Sequence, residues 1–534
     1  MSLVRCSPYR ITLVRADPNY GERFHKGGAA AHYLKAYLRR HSRARHCIDV
    51  TIVTLNSCWP NAADLNAQWI LSRLPALIGF SCYCWNVDTV IRLAQLLKDL
   101  CADVVIVAGG PEVSFCAQDF LRCNDAFDMV VRGEGEATFC KLVDRLAAGD
   151  PNFSEIAGLT YRSGNSIVTN PDRPLIADLD DIPSPFMDGT VDLAECDGEV
   201  MLETVRGCPF RCTYCLHTKG VTGVRSFSWR RIESEIVFLC CHPAVRVIWF
   251  ADPTFDADEQ RASSILELVR KVNPAQGVAF ELRAETLSEE IIHHLQQLNV
   301  VDVGIGLQTT NPTTLQLLRR PSNLECFQAN LRALASSLRG RTRLDVDVIY
   351  GLPGDAFEDY QRTVQFGLHL GGHLYYQPLR VFRGAEISRQ APEFGLRYMS
   401  SAPHNILRCG TFSSADMVRA YQLNAGLDFY QSPAPMVRES MEAVGKALVM
   451  PIHQTCVWLG ELLWRKGLRH YFRVSNATPD DIPVQWRVLE LIAALEAAER
   501  EGAPLSETSS RLRRFIREAG DSEFPRSGYY HAAI

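Results

Sequence analysis

Apolar and polar positions follow two periodicities along the chain, and the period switches repeatedly. In the first third, short apolar runs at 11–15, 49–55, 76–81, 103–108 and 128–131 read as strands. Between them, 28–40, 63–74, 87–100 and 136–148 place apolar residues three and four apart and read as helices. Alternation of this kind predicts a doubly wound, Rossmann-like parallel sheet with helices on both faces. Ligands of such sheets sit beyond the carboxyl ends of the strands. Three glycine-bearing turns stand there: Gly79-Phe-Ser81, Gly109-Gly110-Pro111 and Gly133-Glu-Gly135-Glu136. Glycine lets the backbone come close to a large flat or phosphorylated ligand.

Residues 158–170 hold two strand-like runs round Ser163-Gly164-Asn165, a hairpin signal. A proline-punctuated linker follows at 178–186. From 199 onward strands and helices alternate again, at the spacing of β/α barrel units. Strands are expected at 200–205, 246–250, 278–282, 301–307, 344–349 and 374–382, a partial six-stranded barrel. Polar residues and glycines recur at their ends: Arg206-Gly207, Asp252, Arg283-Ala-Glu285, Gln308-Thr309, Gly351-Leu-Pro-Gly354 and Arg383-Gly384. Barrel active sites are built at such ends. Beyond 401 the chain reads as mainly helical, with amphipathic stretches at 443–467, 484–501 and 511–519. The expected division is 1–150, a hairpin and linker at 151–195, a barrel at 196–400, and a helical region at 401–534.

Bulk properties narrow the function. A chain of 534 residues exceeds one ordinary core. Its 47% hydrophobic and 22% charged content is that of a soluble globular protein. A net charge of −5 and a pI near 6.3 carry no polyanion-binding signal, so nucleic acid is not an expected partner. No run of about 18 apolar residues marks a membrane span, and the first residues lack the apolar stretch of a secretory signal. Eighteen scattered cysteines in such a chain point to reduced thiols and a cytoplasmic location. A monomer is expected.

The chemistry concentrates in Glu203-Thr-Val-Arg-Gly-Cys208-Pro-Phe-Arg-Cys212-Thr-Tyr-Cys215-Leu-His217. Three thiols at C-x3-C-x2-C spacing follow the first barrel strand, and soft thiolates favour an iron–sulfur centre or zinc. A structural zinc is closed by four ligands, and an ordinary four-iron cluster also takes four cysteines. Three ligands leave one metal position open. The alternative on these residues is a zinc knuckle closed by His217 or by a distant cysteine.

The loop resembles the cluster loop of the radical S-adenosylmethionine (SAM) enzymes, and Tyr214 before the last cysteine fits their pattern. The resemblance implies that Cys208, Cys212 and Cys215 hold a [4Fe–4S] cluster whose open iron chelates SAM. Position by position, it implies SAM contacts at Tyr214, Asp252, Glu281, Arg283, Glu285, Gln308, Thr309 and Gly351. Glu281 or Arg283 could instead serve an internal salt bridge. Upstream, residues 11–148 resemble the cobalamin (B12)-binding domain that precedes the barrel in one large class of these enzymes. That likeness places cobalamin contacts at Gly79, Ser81, Trp85, Asn86, Gly109, Gly110, Pro111, Glu112, Gly133 and Gly135. His25-Lys-Gly-Gly28 matches part of a cobalt-ligating D-x-H-x-x-G motif, but Arg23 stands in place of the aspartate. With no carboxylate to orient the imidazole, His25 is read as a helix-start residue and not as a cobalt ligand. Residues 394–430 resemble the segment after the barrel in a subgroup with an uncharacterised C-terminal domain.

The family implies a cobalamin-dependent methyltransferase acting on an unactivated carbon, or on phosphorus, of a small molecule. One SAM methylates the cobalamin, a second gives the 5′-deoxyadenosyl radical, and a flavodoxin or ferredoxin supplies electrons. Two alternatives remain open on the sequence. One is a non-methylating radical rearrangement, cyclisation or transfer of another SAM fragment. The other is a non-catalytic cobalamin- or metal-binding sensor.

Overall fold

The computed structural model describes residues 8–17, 30–56, 63–216, 223–338, 342–432, 434–468, 471–472, 484–500 and 505–519. His25 and His217 lie outside the described residues. The first sheet contains β1 (Tyr9–Asp17), β2 (Ile48–Asn56), β3 (Leu77–Ser81), β4 (Val105–Gly109), β5 (Met129–Val131), β6 (Leu159–Ser163) and β7 (Ser166–Thr169). Their order is β2-β1-β3-β4-β5-β6-β7, parallel through β5 and antiparallel beyond it. The hairpin at 159–169 therefore extends this sheet, and the expected boundary at 150 falls inside it. Alternation within each strand feeds two cores. Val14, Ile78, Phe80, Ile106 and Val130 join one face, while Leu13, Leu77, Val107 and Met129 join the other. Both faces are covered, as a parallel sheet requires.

The barrel sheet starts with β8 (Glu199–Leu202). A short antiparallel pair, β9 (Val205–Arg206) and β10 (Arg225–Ser226), brackets the cysteine loop. The sheet continues with β11 (Val247–Phe250), β12 (Gly277–Leu282), β13 (Asn299–Gln308), β14 (Arg343–Tyr350) and β15 (His373–Pro378). These six strands run parallel in the order β8-β11-β12-β13-β14-β15, with no pairing between the outer two, so the barrel is partial. All six expected strands are present within a few residues of their expected ends.

The helical region expected beyond 401 holds a helix that its amphipathic stretches do not mark. A helix at Ser414–Tyr430 precedes Pro435–Ala447 and Ile452–Arg465, which divide the single stretch expected at 443–467. Pro451 stands at the N-cap that starts the second of these, where a proline is tolerated and a continuous helix is not. Helices Val484–Arg500 and Ser506–Ala519 follow. Met417, Leu427, Val444, Leu459 and Leu491 share one apolar cluster with the barrel strands, so these helices enlarge the barrel core and build none of their own.

Candidate active site at the domain interface

A cavity of about 430 Å³ lies between the two sheets, within the size range of small-molecule sites. Tyr83, Cys84, Trp85, Pro111 and Glu112 line it from the first domain. The barrel side supplies Tyr214, Cys215 and Leu216 of the cysteine loop, with Ile349, Gln377, Pro378, Leu379, Arg380 and Phe382. Tyr83 and Trp85 stack at 4.5 Å and 7°, giving the wall a flat aromatic surface.

The first domain delivers its part through adjacent strand ends. Ser81 pairs with Gly109, and Gly109 with Val131, so the turns after β3, β4 and β5 form one row. Pro111, Glu112 and Trp85, three of the residues expected to contact cobalamin, line the cavity. Asn86 does not. It is 1% exposed, its amide donates to the carbonyls of Ala16 (2.9 Å) and Ser81 (3.0 Å), and its oxygen accepts from Tyr83 N (2.8 Å). It ties β1 to β3, the neighbours at which the strand order reverses. Gly79 is likewise a packing residue, because a methyl there would meet Leu13 Cδ2 at 2.9 Å. Gly110 has φ +110°, and a Cβ on it would lie 2.5 Å from Cys82 O, so glycine is needed for two turns to pass closely. Gly133 and Gly135 frame the turn after β5, and open space surrounds the Cβ position of Gly133.

Glu134 and Glu136 of that turn bind the barrel. Arg206, two residues before Cys208, pairs with Glu136 at 2.7 Å, Glu203 at 3.0 Å and Glu134 at 3.3 Å. Arg225, on the partner strand β10, pairs with Glu134 at 2.6 Å. Both ends of the cysteine loop are thus fixed to the first domain by charge. Within the loop, Thr213 N donates to Leu318 O (3.0 Å) and Thr213 O accepts from Ile387 N (3.0 Å).

The three thiols share this short loop. Cys208 Sγ lies 3.7 Å from Thr254 Oγ1, Arg320 Nη1 lies 3.9 Å from Cys212 Sγ, and Cys215 faces the cavity. Among the described residues, no three His, Cys, Asp or Glu side chains are gathered closely enough to hold a metal ion. The donor set is nevertheless that of a three-thiolate centre, and an arginine stands beside one of its sulfurs. Tyr214 packs beside Cys212 and Cys215, and burial raises its phenol pKa.

Several residues expected to contact SAM form one polar cluster at the ends of β12 and β13. Arg283 Nε approaches Glu285 at 3.5 Å, and its guanidinium lies 4.0 Å over the Phe210 ring of the cysteine loop. A Cβ on Gly306 would meet Gln308 Nε2 at 2.6 Å and Arg320 Nη2 at 2.7 Å, which brings those two side chains to the same spot. Buried polar atoms without a hydrogen-bond partner collect here: Arg283 Nη1, both oxygens of Glu285, Gln308 Oε1 and Arg320 Nε. Buried polar groups are normally satisfied, so this set fits a polar ligand such as the amino-acid and ribose groups of SAM. Glu281 lies one strand turn earlier, its carboxylate against Gly304.

Three expected SAM contacts have other work. The carboxylate of Asp252 is fully buried and accepts from Thr204 N (2.8 Å), Thr204 Oγ1 (2.5 Å), Val205 N (3.1 Å) and Arg261 Nη1 (3.0 Å). It braces the strand that leads into the cysteine loop and has no oxygen to spare. Thr309 Oγ1 accepts from Asn311 N (3.1 Å) and sits beside Thr363 Oγ1, so its hydroxyl closes a turn. Gly351, with φ +77°, packs against Ile406 and Met417, toward the C-terminal region.

Two functional candidates lay outside sequence reasoning. Arg320 follows a short helix and has no motif of its own. His404 donates from Nε2 to Glu112 Oε1 at 2.7 Å across 292 residues. Arg380 Nη1 reaches Cys84 Sγ at 4.0 Å, and burial pushes the Cys84 thiol up to about 11.

Comparison with known proteins agrees with this arrangement. A B12 binding domain model matches residues 21–143, and a radical SAM superfamily model matches 202–367. An uncharacterized methyltransferase of Pyrococcus horikoshii is 27% identical over 300 residues, 55% of this chain and 64% of that protein. The cobalamin-dependent radical SAM methyltransferase TokK of Streptomyces tokunonensis is 25% identical over 325 residues, 58% of this chain and 46% of its own. The chain thus spans less than two thirds of the length of either relative. The solved structure of OxsB, a cobalamin-dependent SAM radical enzyme with aqua-cobalamin and SAM bound, superposes with a TM-score of 0.61 at 14% identity. It covers 95% of this chain and 84% of that one, a likeness of fold. Two matched models in this order, over more than half of the chain, place it in the B12-binding-domain branch of the radical SAM superfamily.

Proposed function

We propose that the protein is a cobalamin-dependent radical SAM methyltransferase acting on an unactivated carbon, or on phosphorus, of a small molecule. The observation that carries this reading is the interdomain cavity. One wall belongs to the strand-end turns of the B12-binding domain, and the other to Tyr214, Cys215 and Leu216 of the cysteine loop. A methyl donor on one wall and a radical initiator on the other would face the same small volume. Bound there, a [4Fe–4S] cluster, SAM and cobalamin would supply radical initiation and the transferable methyl group.

The chain's own residues hold, orient and shield. Cys208, Cys212 and Cys215 would ligate the cluster, with Arg320 beside Cys212. Arg283, Glu285 and Gln308 offer their unpartnered polar atoms to SAM, and Tyr83, Trp85, Pro111 and Glu112 face the cobalamin side. The aromatic and aliphatic walls keep water from a reactive volume. The same reading moves the end of the first domain past the hairpin at 159–169, keeps divisions near residues 195 and 400, and includes a monomer in the cytoplasm with flavodoxin or ferredoxin as the electron source. Among the described residues no helix is long and apolar enough to cross a membrane.

The test is anaerobic turnover of the reconstituted protein with methyl-labelled SAM and cell extract, followed by mass spectrometry. A small molecule that gains one labelled CH₂ unit supports methylation. A product of unchanged or dehydrogenated mass supports the non-methylating radical reaction instead. Uptake of zinc in place of iron, with no SAM cleavage, points to a sensor.

A further inference from the structure

Arg320 occupies an unusual position for a side chain with no sequence motif. It follows the helix Pro312–Leu317, and its backbone N donates to Leu315 O (2.9 Å). Its guanidinium turns inward to the barrel mouth. Nη2 donates to the carbonyl of Gly306 on β13, Nη1 lies 3.9 Å from Cys212 Sγ, and Nε is buried without a partner. The turn that carries it also holds the cysteine loop, since Leu318 O accepts from Thr213 N. The cation is therefore fixed relative to one sulfur from two directions. Glycine at 306 makes the room: a methyl there would meet Nη2 at 2.7 Å, and the atom in the way would have to move.

We propose that Arg320 is a positioning residue that sets the reduction potential of the cluster through the Cys212 sulfur, an inference that rests on the cluster reading above. Reduction adds one electron, and so one negative charge, to the centre. The electron passes from the external reductant, and no bond forms or breaks. A buried cation stabilises the more negative state, and hydrogen bonds to cluster sulfurs are an established means of moving the potential. In a low-dielectric interior the attraction is little screened. Glu285 offsets part of it, because its carboxylate also faces Arg320. The net sign remains toward easier reduction, since the Arg320 cation reaches the sulfur itself, and the other side chain bonded to that sulfur, the Tyr214 phenol, brings no charge.

The experiment is a redox titration of anaerobically reconstituted wild type, R320M and G306A, with dithionite as reductant. It is followed by electron paramagnetic resonance, with iron and sulfide content measured on each sample. In R320M the ratio of reduced to oxidised cluster at a fixed poise should fall about tenfold, a midpoint lower by about 59 mV for a one-electron couple. G306A keeps the arginine but displaces it, and should shift the same way by a smaller amount. It decides the matter if R320M fails to assemble a cluster. Iron-loaded variants with the wild-type midpoint overturn the role of Arg320 alone. A wild type that takes up no iron overturns the cluster reading with it.

Discussion

The pair Glu112–His404 gives the most direct test of how the two domains are held. His404 is almost fully buried, and each ring nitrogen faces an acceptor: Nε2 the Glu112 carboxylate at 2.7 Å, Nδ1 the Met399 carbonyl at 3.2 Å. Both bonds are satisfied only when the imidazole is doubly protonated. Burial alone would lower its pKa, but the hydrogen bond and charge of Glu112 outweigh it and raise the pKa above the ordinary histidine value. Substituting alanine for His404 leaves the Glu112 carboxylate on the cavity wall with only 10% of its side chain exposed. Breaking a buried pair this way costs about 3–5 kcal/mol, and the lower figure suits a carboxylate that borders a cavity. Native-state hydrogen exchange should report it: for amides at 111–116 and 399–405, about 3 kcal/mol raises the exchange of H404A roughly a hundredfold. The folded-state pKa is the raised one. The contribution is therefore complete below about pH 6.5 and is lost as pH climbs through the raised value. The difference between wild type and H404A should be large at pH 6 and shrink in alkali. Equal exchange in the two proteins at pH 6, or a difference that persists unchanged at high pH, would refute a charged latch.

Three further outcomes follow from the site. C212A should take up less iron and form no 5′-deoxyadenosine from SAM under reducing conditions; retained cleavage would sink the cluster assignment. D252N should destabilise the region round the cysteine loop by about 1–3 kcal/mol, because one oxygen that accepts from buried donors becomes a donor itself. A wild-type melting curve with a weakened affinity for SAM would instead restore Asp252 as a ligand contact. R206M should cost about 3 kcal/mol by leaving buried Glu136 and half-buried Glu203 without their counter-charge, read as faster proteolysis between residues 170 and 200. Unchanged proteolysis would mean that the domains are held elsewhere.

The elements were legible where periodicity is strong and the ligand residues lie close in sequence. The six barrel strands and the cysteine loop are both of this kind. The helix Ser414–Tyr430 was not, because it is buried on several faces: Met417, Ala420, Leu423, Asn424, Gln422 and Phe429 are all buried. An amphipathic stripe therefore never forms in its sequence. Gly426 and Gly460 let it press against the helix Ile452–Arg465, a contact that only the fold reveals. The site divides the same way. Glu285 and Gln308 were found at strand ends, whereas Arg320 meets Cys212 across 108 residues and His404 meets Glu112 across 292. Asp252, Asn86 and Thr309 stand at strand ends as expected, but their side chains are taken up by neighbouring backbone and side-chain groups. Sequence shows that a polar residue stands at a strand end. It does not show whether the residue looks toward the ligand or toward the turn.

The domains meet through apolar contacts, such as Tyr33 in the barrel core and Ala402 in the core of the first domain, and through several charged ones whose role bears on how the cavity works. A buried ion pair adds little net stability over an apolar contact of the same shape, yet is costly to break from one side. Arg206 with Glu134 and Glu136, and His404 with Glu112, therefore act more to fix register than to bind the domains tightly. Two of the residues involved, Glu112 and Arg380, also line the cavity. The domains cannot shift without moving the cavity wall, and the wall cannot be recharged without loosening the domains. A substitution at Glu112 should thus change the position of the B12-binding domain and the polarity seen by a ligand together. A double-mutant cycle with His404 would separate the two effects, because only the positional part couples to His404.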